Sequence, residues 1–220
     1  MSRVVLIENN SEIGAGTRGS SLGVDALRIA AFNSKSDYFN KHELDKIENE
    51  NDRLFEEINF PNAKRMEGVL NVFNRICDKV DETFQKNRFP LILAGDHSSA
   101  GGTIAGIKKS NPNKRLGVIW IDAHADLHSP YTSPSGNMHG MPLATVLNVD
   151  NKEHKIKELE PEVIEAWEKL KNVGGIAPKI NPEDLVFIGV RDTEEPEDYF
   201  IANNSIHSVS VEYVRRNGVE

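Results

Sequence analysis

Four unbroken apolar runs, separated by segments with helical or loop character, constrain the fold of this sequence most. They occupy residues 3–7, 91–95, 116–122 and 185–190. A strand that is apolar at almost every position is buried on both faces, which is typical of a parallel sheet covered by helices. The sequence therefore predicts an α/β fold of three layers (α-β-α), with a central parallel sheet between helices.

Helical periodicity is clearest between Met66 and Phe84, where apolar residues recur on one face. A short strand is expected at residues 54–60. Further helices are predicted at residues 24–32, 98–109, 141–147 and 162–170, and one begins at 211–217. We interpret the chain as a single domain over residues 1–220, since 220 residues suffice to bury one core.

The net charge of -8 disfavours nucleic acid and anionic membranes as partners, because both bind basic surfaces. The single cysteine, Cys77, excludes an internal disulfide framework and fits a reducing compartment. No apolar run approaches the roughly 20 residues that span a bilayer, and the first residues do not resemble a signal peptide. These features predict a cytoplasmic protein.

Polar clusters follow three of the predicted strands, at residues 96–98, 122–126 and 191–195. One such cluster is explained equally well as the start of a solvated loop. Three together, with histidines in two of them, favour a functional edge, because open α/β sheets bind ligands at the carboxyl ends of their strands. Unpaired buried charge is costly, so we expect these groups to contact a metal or a substrate.

His97, Asp122, His124 and Asp126 form a mixed nitrogen and oxygen donor set without a thiolate. Alternate residues of an extended strand point to one face, so the last three are expected to project together. Such a set suits Mn, and also Fe, Co, Ni or Zn, better than a thiolate-preferring ion. Closely spaced carboxylates could also bridge two ions that activate one water.

Several motifs, in order along the chain, resemble those of the ureohydrolase family and most closely its arginases. The chain carries Gly-Ala-Gly-Thr-Arg-Gly near its start, Ala-Gly-Asp-His-Ser at 94–98, Asp-Ala-His-Ala-Asp at 122–126, Ser-Gly-Asn-Met-His-Gly-Met-Pro at 135–142 and Ile-Gly-Val-Arg-Asp at 188–192. The resemblance implies an arginase-like fold and manganese-dependent hydrolysis of L-arginine to L-ornithine and urea. It also implies a trimer or hexamer of the full-length protein.

The resemblance further implies a role for each motif residue. His97 and Asp126 would bind one manganese ion, His124 the other, and Asp122 would bridge them. A hydroxide shared by the ions would be the nucleophile, and Asp126 would orient it. His139 matches the family histidine that moves protons between solvent, nucleophile and leaving group, a task suited to imidazole.

Substrate contacts are implied for four residues. Ser135 and Asn137 would bind the α-carboxylate of an amino acid, although by themselves they also fit a simple turn. Glu194 stands where arginases carry an aspartate facing the α-ammonium, and the neighbouring Glu195 leaves that assignment open. His128 replaces a more usual asparagine, so carboxylate recognition is expected to differ in detail.

The family also carries a later Asp-x-Asp pair that completes the metal site, and no such pair follows Asp126 at a strand end. We therefore expect the chain to lack the C-terminal part of the family fold, with the second ion weakly held or absent. Two alternatives to arginase activity stay open. One is another ureohydrolase, namely an agmatinase, formiminoglutamase or guanidinobutyrase, and the other is a catalytically inactive metal-binding module.

Overall fold

The computed structural model describes residues 3–219. Within that range the strands are Val4–Asn9 (β1), Glu43–Lys46 (β2), Phe89–Ala94 (β3), Val118–Ile121 (β4), Leu185–Ile188 (β5) and His207–Val209 (β6). The helices are Gly23–Asn33 (α1), Tyr38–Lys41 (α2), Met66–Gln85 (α3), Ser99–Ser110 (α4), Pro142–Leu147 (α5), Pro161–Lys171 (α6), Glu195–Asn203 (α7) and Val211–Asn217 (α8).

All strand pairs are parallel, as the continuous apolar runs predict. The strands form two ladders, one in the order β2-β1-β3 and one in the order β4-β5-β6. The α/β fold with helices packed on parallel strands is thereby confirmed. In the part of the chain that the structure describes, no strand joins β3 to β4, so the expected central sheet is divided at this point.

Helix α3 is the main helix of the core, and its bounds match the predicted periodicity between Met66 and Phe84. Its buried face includes Val69, Phe73 and Ile76, which pack with residues of β1 and α6. Helix α4 packs closely on α3, because Gly102 brings its backbone against Phe73. The helix layer therefore fixes the position of the loop between β3 and α4.

The prediction of a strand at residues 54–60 is wrong. Asn51–Phe55 is a 3-10 turn in which Phe55 is largely exposed, and Leu54 and Phe60 pack against the core without joining a strand. The second strand of the ladder is instead the charged segment Glu43–Lys46, whose Leu44 pairs with Leu6 of β1. Pairing with an already buried strand outweighs the low strand propensity of the segment itself.

Candidate metal and substrate site

The carboxyl ends of β3, β4 and β5 meet at one edge of the fold, as the polar clusters predict. Ala123 connects two of these ends, because its carbonyl accepts hydrogen bonds from the backbone N–H groups of Arg191 (2.9 Å) and Asp192 (3.0 Å). Gly189 has a φ of +87°, a left-handed conformation that glycine adopts without strain. The loops after β4 and β5 are therefore held together by their backbones.

Three of the four expected ligands converge at this edge. His97 Nδ1 lies 2.9 Å from Asp122 Oδ2 and 2.9 Å from Asp126 Oδ2. These three side chains each offer a ligand atom, and the atoms all lie within 4.8 Å of one another. One divalent ion at this point could contact both carboxylates and the imidazole.

His124 lies beside this group rather than within it. Its Nδ1 is 3.4 Å from Asp122 Oδ1, and its Nε2 is 3.4 Å from Asp192 Oδ2. The two oxygens of Asp122 therefore face different imidazoles, Oδ2 towards His97 and Oδ1 towards His124. The backbone N–H of His124 also donates to Asp122 Oδ1 at 2.9 Å, which fixes the carboxylate plane.

The pKa values of His97 and Asp122 both shift towards the charged forms of these side chains. Burial alone lowers the pKa of the His97 imidazole, but the carboxylates of Asp126 and Asp122 outweigh burial and raise that pKa. Burial raises the pKa of Asp122, and this effect is more than offset by the backbone N–H of His124 and the charge on His97, so the carboxyl pKa is lowered. The imidazole of His97 must lose this proton before it can bind a metal ion. A metal ion and a proton therefore compete for His97.

The backbone around Asp126 is unusual. Asp126 has a φ of +50°, a left-handed conformation that is uncommon for a residue other than glycine. Its carbonyl accepts a hydrogen bond from Leu143 N at 3.1 Å, and its neighbours Ala125 and Leu127 are fully buried. The surrounding packing therefore holds the Asp126 carboxylate towards His97 in spite of the strained backbone.

Two supporting residues beside His97 were not predicted from the sequence. The ring of Trp120 stacks on the His97 imidazole, with centroids 4.2 Å apart. Asp96 is buried and accepts hydrogen bonds from Gly14 N (2.9 Å) and Ser98 N (2.8 Å). Asp96 thereby ties the glycine-rich loop after β1 to the loop that carries His97. The adjacent Asp-His pair was visible in the sequence, but the hydrogen bond between Asp96 and the distant Gly14 could not be predicted.

The expected substrate residues fall into two groups, of which His128 and Glu194 form the first. His128 is buried, with its Nδ1 3.1 Å from Thr132 Oγ1 and its Nε2 3.6 Å from Glu194 Oε2. The same Nε2 lies 3.5 Å from Glu197 Oε2. The imidazole therefore faces two carboxylates at the amino end of α7.

Glu197 was not predicted as a site residue. It is buried, its Oε1 accepts from Leu127 N at 3.0 Å and its Oε2 accepts from Glu194 N at 3.2 Å. Burial raises the pKa of the Glu197 carboxyl, and the nearby His128 opposes that shift. The spacing of Glu194 and Glu197 is that of a capping box, which could have indicated this residue.

Ser135 and Asn137 form the second group, on the loop before α5, which also carries His139, the residue expected to transfer protons. Ser135 Oγ accepts from Asn137 N at 3.1 Å in an exposed turn. Gly136 has a φ of +70°, and an added Cβ would lie 1.8 Å from Pro61 O, so only glycine fits. His139 exposes its side chain, while its N–H donates to Gly14 O at 3.1 Å. This loop is therefore positioned against the glycine-rich loop.

The fold and this edge define an α/β protein with parallel strands and a His/Asp group suited to a metal. The model of the arginase family matches residues 2–220, and the chain belongs to that family. It is similar to the arginase of Bacillus caldovelox, with 34% identity over all of this chain and 68% of the relative. It is also similar to the arginase of Bacillus subtilis strain 168, with 35% identity over 94% of this chain and 64% of the relative.

A solved structure of the Bacillus caldovelox arginase at pH 5.6 matches with a TM-score of 0.77 and 33% identity, over 99% of this chain and 68% of that chain. The chain therefore spans about two thirds of the length of these relatives. Within residues 3–219, none of the helices combines the length and apolar character needed to cross a membrane.

Proposed function

We propose that this chain carries the site of an arginase, which hydrolyses L-arginine to L-ornithine and urea with manganese as its metal. The observation that supports this most directly is the convergence of His97, Asp122 and Asp126 at the sheet edge of a member of the arginase family. The similarity to named arginases favours L-arginine among the guanidino compounds.

The donor set fits manganese. It consists of imidazole nitrogen and carboxylate oxygen, and Cys77, the single thiol of the chain, lies in the core on α3. In the proposed site His97 and Asp126 would hold one ion, His124 would hold a second, and Asp122 would contribute a carboxylate oxygen to each. The division of the Asp122 oxygens between the two imidazoles supports this assignment.

Manganese, when bound, supplies the Lewis acidity that makes water nucleophilic near neutral pH. The protein's own groups position the reactants and move protons. The Asp126 carboxylate accepts a hydrogen bond from the attacking water and orients it towards the guanidinium carbon. The exposed imidazole of His139 transfers a proton to the leaving amine and exchanges it with solvent, as imidazoles do near neutral pH.

The head group of the substrate is held between the two groups of binding residues. Ser135 and Asn137 donate hydrogen bonds to the α-carboxylate, and Glu194 pairs with the α-ammonium. His128, which faces Glu194, adds a donor on the same side of the pocket. Agmatine lacks the α-carboxylate, so it loses the contacts with the first two residues and binds less well.

Urea release with and without manganese tests the proposal. The protein is assayed for urea with L-arginine, agmatine and 4-guanidinobutyrate and for formamide with formiminoglutamate, and bound manganese is counted in the same samples. We expect kcat/KM to be highest for L-arginine and activity to disappear after metal removal. Urea from agmatine but none from L-arginine would contradict the proposed substrate.

A metal-binding role without turnover is the second candidate. Its support is the position of His124 outside the group formed by His97, Asp122 and Asp126 in the described part of the chain. This candidate predicts one ion or fewer per chain and no hydrolysis of any of the four compounds. Two ions per chain together with urea from L-arginine would exclude it.

A further inference from the structure

The turn before α3 lies against the loop that carries Asn137. Lys64 N donates a hydrogen bond of 2.9 Å to Gly136 O. Gly136 itself lies so close to Pro61 O that no side chain fits at this position. These two contacts hold residues 61–65 beside the loop that we assign to the substrate carboxylate.

Arg65 is the residue of this turn whose side chain reaches towards Asn137. A Cβ added at Gly16 would lie 3.0 Å from Asn137 Oδ1 and 3.6 Å from Arg65 Nη1, so both polar groups border the same position. Gly16, with a φ of +72°, has no side chain to separate them. The Arg65 guanidinium and the Asn137 carboxamide are therefore neighbours beside the glycine-rich loop.

Hydrogen bonds fix the Arg65 guanidinium through two of its three nitrogens. Nε donates to Arg53 O at 2.9 Å, and Nη2 donates to Leu54 O at 3.5 Å. Among residues 3–219, Nη1 has no hydrogen-bond partner and the guanidinium has no ion-pair partner. The half-buried side chain thus presents its remaining N–H groups in a fixed direction, which reduces the entropy lost when an anion binds.

Two lysines make the surroundings of Arg65 more positive. Lys157 Nζ donates to Ser133 O at 2.6 Å, two residues before Ser135. Burial lowers the pKa of the Lys157 ammonium, and the charge on Lys64 lowers it further. Neither lysine has an ion-pair partner in the described part of the chain, although the net charge of the protein is -8. Three cations without a carboxylate border one loop, and an anion bound there would offset their repulsion.

We infer that Arg65 determines substrate specificity, because it binds the carboxylate at the end of the substrate remote from the guanidinium. This inference rests on the proposed function, in which Ser135 and Asn137 bind that carboxylate through neutral groups. Arg65 adds a positive charge and directed N–H groups, and hydrogen bonds between charged partners are the stronger ones. Agmatine has a cationic amine at the corresponding end, which Arg65 repels.

The kinetics of the Arg65→Met variant with L-arginine and agmatine test the inference. The substitution removes the charge and keeps an apolar chain. KM for L-arginine should rise about tenfold while kcat changes less than about twofold, because the lost contact is the same in the ground state and the transition state. Agmatine, as a substrate or as a competitive inhibitor, should bind no less well than to the original chain. Equal losses with both compounds would show that Arg65 only anchors residues 53–54, and would overturn the inference.

Two further variants separate the charge of Arg65 from its structural contacts. Arg65→Lys keeps the charge and should raise KM for L-arginine less than Arg65→Met does. Arg216→Met removes the same charge from an exposed position on α8 and should leave both compounds unaffected. Added salt should raise KM for L-arginine more in the original chain than in Arg65→Met, because salt screens the lost attraction. Equal impairment in the two Arg65 variants, with equal salt dependence, would contradict a contact through charge.

Calorimetric binding of L-ornithine and putrescine distinguishes failure of this inference from failure of the proposed function. Putrescine differs from L-ornithine only by the missing carboxylate. We expect the original chain to bind L-ornithine at least about tenfold more tightly than putrescine, and Arg65→Met to lose this preference. The preference in a chain that releases no urea from L-arginine would overturn the proposed function and support the carboxylate contact.

The opposite result would overturn the inference alone. In that case the original chain releases urea from L-arginine, and Arg65→Met shows the same kinetics and the same preference for L-ornithine. No preference for L-ornithine in the original chain would also overturn it.

Discussion

Glu197 Oε1 accepts a hydrogen bond of 3.0 Å from the backbone N–H of Leu127, across 70 residues of sequence. This bond joins the first turn of α7 to the loop that follows β4. Both residues are buried, so water cannot replace the carboxylate as acceptor. The relative position of His128 and Glu194, which we assign to the substrate pocket, therefore depends on a residue that itself need not touch substrate.

Glu197→Ala should destabilise the fold by about 2 kcal/mol, because it leaves the buried Leu127 N–H without a partner and removes a helix cap. Urea unfolding at neutral pH measures the loss. Glu195→Ala is the matched control, since the Glu195 side chain is 86% exposed, and it should change stability by less than about 0.5 kcal/mol. Equal losses in the two variants would show that the buried bond is unimportant.

Gly14→Ala should destabilise the contact between the glycine-rich loop and the His97 loop. An added Cβ would lie 2.5 Å from Ser98 Oγ and 2.7 Å from Asp96 Oδ1, so these side chains must move. Overpacking of this kind costs roughly 1 to 3 kcal/mol. Gly23→Ala is the control, because no atom lies within 4 Å of its added Cβ and alanine favours the helix. Thermal unfolding should separate the two variants.

Asp126→Ala should weaken manganese binding by at least about tenfold, because even residues that only support metal ligands commonly contribute that much. Isothermal titration with Mn²⁺ on the metal-free protein measures the change directly. Asp78→Ala removes an exposed carboxylate that pairs with Lys109 and should leave the affinity unaltered. Full metal content in the Asp126 variant would contradict its assignment as a ligand.

His139→Ala should lower turnover of L-arginine roughly 100-fold while manganese content stays the same, because proton transfer by a positioned side chain contributes about that much. The side chain is exposed and is not part of the group formed by His97, Asp122 and Asp126. His207→Ala, an exposed histidine on β6, is the control. Loss of metal in parallel with rate would refute a role in proton transfer.

Local sequence patterns predicted the strands that have an apolar run and the helix that has apolar residues at helical spacing. The apolar runs at β1, β3, β4 and β5 and the periodicity of α3 correspond to observed elements, although Ile119 and Ile121 of β4 are exposed. The short strand β2 could not be predicted in this way. Its residues are mostly charged, and its strand conformation depends on pairing with β1.

In the candidate site, too, the contacts within a local motif were predicted and the contacts between distant loops were not. The position of the motif after a buried strand placed Asp122 and Asp126 near His97, and these contacts are present. The expected alternation is wrong, because β4 ends at Ile121 and His124 lies outside the group. Interactions between distant loops were not accessible, such as the bond between Glu197 and Leu127. The left-handed backbone at Asp126 was also not predictable, since it depends on the packing of the residues on either side.

Cys77 should resist thiol reagents until the protein unfolds. The residue is 2% exposed, and burial raises the pKa of its thiol to about 11, so little thiolate exists at pH 8 in the folded state. An unfolded thiol has a pKa near 8.5, and the raised folded value therefore contributes stability below that pH that is lost as pH rises towards about 11. At pH 9.5 the loss should be about 1 kcal/mol relative to neutral pH, measured as the difference in unfolding free energy between the original chain and Cys77→Ala. Rapid labelling of the folded protein at pH 8, or a pH-independent difference, would contradict the buried thiol.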